Sequence, residues 1–148
     1  MLSDELASVI ETVWSEVLRA DVRRLAEGEP SPVRTSSVTA TIHVLGPAPR
    51  TILFCCSEAL GRRLAAAMFK VDMGSASKED VSDAVGEVVN MVGGNVKCIF
   101  GSPSTLSLPE VRQGGTCGGS TWGLAGAMGE ARFEDAGEPF LVAVTAPS

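Results

Sequence analysis

The chain has 148 residues, 45% of them hydrophobic and 20% charged, a composition that fits a globular fold able to bury a core without covalent staples. Its 18 acidic side chains outnumber 12 basic ones, for a formal charge of -6, which argues against nucleic acid as a partner because neutralising phosphates requires clustered Lys and Arg. No apolar run approaches the ~20 residues needed to cross a bilayer, and the acidic start Met1-Leu2-Ser3-Asp4-Glu5 does not read as a signal peptide, so one cytoplasmic domain over residues 1–148, with no membrane partner, is expected.

Leu6, Val9, Ile10, Val13, Trp14, Val17 and Leu18 recur at helical spacing and predict a first helix from about Asp4 to Leu25, capped by Ser3 or Asp4. Arg19, Arg23 and Arg24 fall at its end, where cations complement the helix dipole. The polar linker Glu27-Gly28-Glu29-Pro30-Ser31-Pro32 stops any helix. Val38, Ala40, Ile42 and Val44 then alternate with Thr39, Thr41 and His43 as a strand with one buried face, on which His43 reads as a surface residue. Gly46-Pro47-Ala48-Pro49 turns the chain into a second strand, Thr51 to Cys56.

Ser57 and Glu58 open a second helix with a core stripe of Leu60, Leu64, Ala67 and Met68, ending near Phe69. A connector through Met73-Gly74-Ser75 leads to Ser77 and Asp80, which have the spacing of a capping box with Asp in place of Glu or Gln. The third helix follows and runs towards Ile99. Beyond it the chain reads as β at Thr105 to Arg112, around Thr121 to Phe133, and at Phe140 to Thr145, with turns at 114–119 and at Ala136-Gly137. Helical blocks around strand pairs, with hairpins at the end, predict an α+β fold with a largely antiparallel sheet.

Several chemistries have no support in the residues. Cys55, Cys56, Cys98 and Cys117 match no zinc or redox spacing, and Cys55 and Cys56 as strand neighbours point to opposite faces, so buried reduced thiols are expected. One histidine and scattered carboxylates make no metal site, and no Ser/His/Asp or Cys/His arrangement is visible. The loop Gly114-Gly115-Thr116-Cys117-Gly118-Gly119-Ser120-Thr121 lacks the lysine of a phosphate-binding loop and precedes a strand, so it reads as a hairpin loop.

The most informative stretch is Asp83-Ala84-Val85-Gly86-Glu87-Val88-Val89-Asn90-Met91-Val92-Gly93-Gly94-Asn95-Val96-Lys97. At about 100° per residue, Val81, Val85, Val88, Val92, Val96 and Ile99 fall on one face, and Asp83, Gly86, Glu87, Asn90, Gly94 and Lys97 on the other. The polar stripe sets a carboxylate and a carboxamide three residues apart, beside glycines that leave the surface bare to another macromolecule. Gly93-Gly94 weakens the helix by about 1 kcal/mol per glycine, which fits either close approach by a neighbour or an early helix end. Asp83 reads equally as a partner contact or as a solvated acid near the helix start, and Lys97 reads as a solvated helix residue.

This run, followed by Leu106-Ser107-Leu108-Pro109, resembles the CheX branch of the CheC/CheX/FliY family of chemotaxis phosphatases, more loosely from about Ser37 to Val144. Those proteins carry an acidic or serine residue, Glu four positions on and Asn three beyond, matched by Asp83, Glu87 and Asn90. CheC-like and FliY-like members have a proline further downstream than Pro109, which brings the match closer to CheX. The resemblance implies long helices packed over one sheet (a CheC-like fold), homodimerisation, and hydrolysis of the aspartyl phosphate on a CheY-type receiver domain. It implies Asn90 as the residue that holds the water and Glu87 as the anchor for the receiver's lysine. Asp83, Gly86 and Gly94 are the further candidates for partner contact. No cofactor is expected on this chain; Mg2+ is expected on the receiver. CheC-like relatives contain a duplicated half, but in the first helix Glu11 is followed three residues later by Trp14 instead of Asn, so no second site is expected and Trp14 reads as core. A non-catalytic interaction or dimerisation module of the same fold is the alternative reading.

Overall fold

The computed structural model describes residues 2–25, 37–100, 104–114 and 127–146. The first helix, α1 (Leu2–Val17), buries Leu6, Ala7, Val9, Ile10, Val13 and Trp14. It ends eight residues before the expected Leu25, because Arg19 adopts a left-handed backbone (φ 51°) that breaks the helical path. Arg23 and Arg24 therefore do not cap the helix as expected. They form a two-residue strand, β1 (Arg23–Arg24), in which Arg24 Nη1 donates to Asp4 Oδ1 at 2.8 Å and Arg23 pairs with Glu134 at 3.4 Å. The expected linker at 27–32 lies outside the described residues.

The sheet is built on a long hairpin, β2 (Ser37–Leu45) with β3 (Arg50–Ser57), and continues through β6 (Ala127–Asp135) and β7 (Glu138–Thr145). Two short strands, β4 (Thr105–Leu106) and β5 (Glu110–Gln113), both pair with β2, so the expected strand from Thr105 to Arg112 is interrupted at 107–109. The order is β1-β6-β7-β3-β2-β4, with β5 beside β4 on β2, and every pairing is antiparallel. β6 and β7 join through Ala136 and Gly137, both at positive φ (52° and 81°), the tight turn whose twist matches a hairpin. This α+β arrangement, with helices over an antiparallel sheet, agrees with the fold class expected from the sequence.

Alternation along the strands decides what faces the helices. Val38, Ala40, Ile42 and Val44 of β2, Ile52, Phe54 and Cys56 of β3, and Phe140, Val142 and Val144 of β7 enter one core with α1, α2 (Glu58–Phe69) and α3 (Lys78–Ile99). Trp14 lies at its centre, stacked on Phe140 with ring centroids 4.3 Å apart and planes within 6°. Cys55, Leu141 and Ala143 turn the other way and form a second buried cluster with Leu53. Ser57 caps α2 by accepting from the Leu60 amide while donating to Glu138, and Arg63 reaches the buried Asp135 at 2.6 Å, so α2 is tied to the β6–β7 hairpin.

The cysteine expectation needs correction at two positions. Cys55 is disulfide-bonded, on the sheet face away from the helices. Cys98 is free but exposed at the end of α3, because its place in the helical turn points away from the core. Cys56 is the buried thiol expected, and burial, with the charge of Glu138 adding to it, raises its pKa far above the ordinary range and keeps it protonated. Cys117 lies outside the described residues.

Phe140→Ala should lower the unfolding free energy by about 3–5 kcal/mol, read from urea denaturation. A loss below about 1 kcal/mol would show that the Trp14 stack is not central to the core.

Candidate functional site

Helix α3 carries the site, and its start is built as the spacing required. Ser77 Oγ accepts from the Asp80 amide and Asp80 Oδ2 accepts from the Ser77 amide, both at 3.0 Å, closing a full capping box. The helix then runs unbroken through Gly93 and Gly94 to Ile99, which decides the open question of an early end. Val81, Val85, Val88, Val92 and Val96 are buried, and Ile99 packs partly buried against the same core. With that face committed, Asp83, Glu87 and Asn90 emerge exposed along one ridge. Among the described residues none forms a hydrogen bond or ion pair with these three side chains.

The glycines divide by role. Gly86 is buried, not bare: a Cβ there would sit 3.6 Å from Pro109 and from Val111. It sits against the wall formed by those two residues and lines the hollow between wall and helix. Gly93 lies against Leu106 and Ile42, with a Cβ contact of 3.3 Å to Leu106. Gly94 is half-buried and has open space above it, as a close-approach position requires. Lys97 is half-buried in the last turn of α3.

A wall formed by the interruption at 107–109 together with β5 stands beside the ridge. Ser107 is pinned to β2 twice, its amide donating to the His43 carbonyl and its Oγ accepting from the His43 amide, both at 2.9 Å. Gln113 fastens the far end to α3 by donating to the Lys78 carbonyl at 2.6 Å and to Ser82 Oγ at 2.7 Å. Between them Leu108, Pro109 and Val111 face Ser82, Asp83, Gly86, Glu87 and Asn90 across an open hollow of about 450 Å³. A second hollow, of about 810 Å³, lies on the other side of the ridge, where Asp83 and Glu87 face Met68 and Phe69 at the end of α2, Lys70 just beyond it, and Glu16, Val17 and Arg19 around the end of α1. The structure thus brings Asp83, Glu87 and Asn90 together, with Gly86 beneath them. Leu108 and Phe69 are the neighbours that sequence reasoning did not single out, although a leucine beside Pro109 and a phenylalanine at a helix end were the available signals.

His43 is exposed, as expected, with Nδ1 3.0 Å from Thr51 Oγ1. The expected glycine-rich hairpin loop lies, beyond Gly114, outside the described residues. Among the described residues no cluster of three or more His, Cys, Asp or Glu side chains could hold a metal ion, and no helix is long and apolar enough to cross a membrane. Such a ridge can offer hydrogen bonds and one or two negative charges to an approaching surface.

These features coincide with a known family. Residues 38–118, which include the whole ridge and its wall, match the family described as chemotaxis phosphatase CheX. The chain belongs to the CheX family of chemotaxis phosphatases. No curated protein matches it. Among solved structures it is similar to the chemotaxis protein CheX from Vibrio vulnificus, with a TM-score of 0.72, 17% identity and 95% of each chain covered. It is also similar to a CheC-like superfamily protein from Shewanella sp. PV-4, with a TM-score of 0.73, 17% identity and coverage of 98% of this chain and 96% of that one. A third is a CheX from Borrelia burgdorferi in a CheX–CheY–BeF3–Mg2+ complex, with a TM-score of 0.73, 15% identity and coverage of 98% and 97%. At these identities the structural likenesses establish the fold.

Gly94→Ala should raise the unfolding free energy by about 0.5–1 kcal/mol, the helix preference of alanine over glycine, since nothing stands within 4 Å of the added methyl. Gly61→Ala in α2 should do the opposite, because its Cβ would fall 2.8 Å from Val81. Parallel denaturation curves check both, and a destabilised Gly94→Ala would mean that the helix is not packed as described.

Proposed function

We propose that this chain accelerates hydrolysis of the aspartyl phosphate on a CheY-type receiver domain. The observation that carries this reading is the joint exposure of Glu87 and Asn90 on one face of a helix whose other face is locked into the core. The family match supports the reaction class, and the CheX–CheY complex among the similar structures supports the partner.

Hydrolysis breaks the bond between phosphorus and the receiver's aspartyl oxygen and forms one between phosphorus and water, releasing inorganic phosphate and the free carboxylate. The receiver is expected to hold Mg2+ and a lysine at the phosphoryl group, so charge neutralisation is already supplied there. Phosphoryl transfer depends mainly on positioning and electrostatics, which leaves an in-line water as the missing part. The Asn90 carboxamide is suited to holding that water, accepting through its oxygen and donating through its nitrogen. One turn earlier, the Glu87 carboxylate pairs with the receiver's lysine and sets the register of the two surfaces. Asp83, a further turn back on the same ridge, adds a polar contact at the rim. The working unit proposed is a cytoplasmic homodimer, following the family resemblance.

The test is the decay of phosphate from a phosphorylated CheY-type receiver in Mg2+, with and without this chain. Asn90→Ala should reduce the acceleration by about 100-fold, the scale of losing one positioned group, with the fold intact by circular dichroism; near-normal acceleration would sink the proposal. Glu87→Ala should weaken association with the receiver by roughly 10- to 100-fold, the worth of a charge-assisted hydrogen bond, measured by titration calorimetry. Unchanged affinity would remove the anchor.

A further inference from the structure

We infer that Leu108 and Phe69 are paired apolar anchors that seat the receiver domain on either side of the polar ridge and set the affinity for it. The inference rests on the receiver phosphatase reading above and adds the residues that select and hold the partner.

Leu108 is the most exposed large hydrophobic side chain among the described residues, at 88% of its full accessibility, and Phe69 is 44% exposed. Exposure alone is ordinary for a single apolar residue; their placement is not. Leu108 shares its hollow with Glu87 and Asn90, and Phe69 shares the other hollow with Asp83 and Glu87. The acids of the ridge thus belong to both hollows, with one exposed apolar side chain on each flank. A specific protein interface covers roughly 800 Å² on each partner, so a footprint centred on the ridge extends over both.

The backbone that carries both side chains is held in place before any partner arrives. Leu108 stands between Ser107, fastened twice to the backbone of His43, and Pro109, packed over Gly86. Phe69 is the last residue of α2, directly before Lys70, whose left-handed backbone (φ 55°, ψ 43°) ends the helix. Little backbone ordering is then lost when these side chains are covered, which lets more of the buried apolar area contribute to affinity. The occupant is a receiver domain because the ridge between the anchors offers Asp83 and Glu87 to a cation and Asn90 to a water, the complement of a lysine beside an aspartyl phosphate. A structural neighbour covering 97% of its own length also forms a complex with CheY.

The experiment measures phosphate decay against receiver concentration, together with binding of the BeF3-activated receiver, for the full chain and for Leu108→Ser, Phe69→Ser and Met128→Ser. The first two should each raise KM and Kd roughly tenfold, the loss of one buried apolar contact, with a much smaller change in kcat. Met128, 42% exposed on β6 and lining neither hollow, is the control, and its variant should bind as the parent does. Wild-type KM and Kd in both anchor variants, with Asn90→Ala inactive, would overturn the anchors and leave the phosphatase standing. Equal weakening in Met128→Ser would also overturn them, by showing a nonspecific surface effect. A parent chain that neither binds the activated receiver nor accelerates decay would overturn both readings.

Discussion

Burial of one valine stripe sets the geometry of everything else in this molecule. Val85, Val88, Val92 and Val96 have no exposed surface and share one core with sheet residues such as Ile42. Each fully buried valine contributes about 1.5–3 kcal/mol relative to water, so the stripe acts as a lock on the helix's rotation. Turning α3 by one residue, about 100°, would bring valines to the surface and carry Glu87 towards an apolar interior, where an unpaired carboxylate is strongly disfavoured. One rotation satisfies both faces, and it holds Glu87 and Asn90 outward without a hydrogen bond from a neighbour among the described residues. Gly93 extends the same lock, since its missing side chain lets β2 and β4 lie against the helix.

The segment from 107 to 109 is the second fixed wall, and it is held by means a strand could not supply. A continuous strand would have alternated its side chains and placed Leu108 according to the pleat. Instead Ser107 spends both its amide and its hydroxyl on the backbone of His43, leaving β2 paired with β4 on one side of the interruption and with β5 on the other. Each such bond contributes about 1 kcal/mol net, enough to hold a short segment whose proline already restricts its backbone. The buried Gly86 is the matching concession on α3. A methyl there would meet Pro109 and Val111 at 3.6 Å, ordinary contact, so only a side chain longer than that of alanine would press on the wall of the hollow that Asn90 lines.

Helical phase made the ridge legible from sequence, because period 3.6 sorts six valine or isoleucine positions from the polar ones with no need of tertiary knowledge. The capping box at Ser77 and Asp80, the β2–β3 hairpin and the role of Trp14 in the core were legible for the same reason: each is a local pattern. What was not legible depends on contacts distant in sequence. The end of α1 turns on the backbone of Arg19, while the apolar pattern continues past it through Leu18 and Val22, so periodicity alone overran the boundary. Gly86 lies on the polar stripe by phase, and only the wall formed by Pro109 and Val111 makes it a packing residue. Alternation predicted that Cys55 and Cys56 face opposite ways, which is what occurs; the disulfide at Cys55 required knowing what covers the outer sheet face.

A site of this kind places unusual demands on rigidity and few on chemistry. Where an enzyme carries its own nucleophile, a small misplacement is partly absorbed by the strength of the covalent step. Here the proposed contribution is the position of one water and one carboxylate relative to another protein, and effective molarity falls steeply with misplacement. An α-helix capped at its start and buried along one face is a stiff support, and residues three apart on it are neighbours on one surface. Flanking walls that are pinned in advance extend that stiffness to the surface the partner must meet. On this reading the scaffold's stability and the site's activity have one origin, because the valines that hold the helix in the core also aim Asn90.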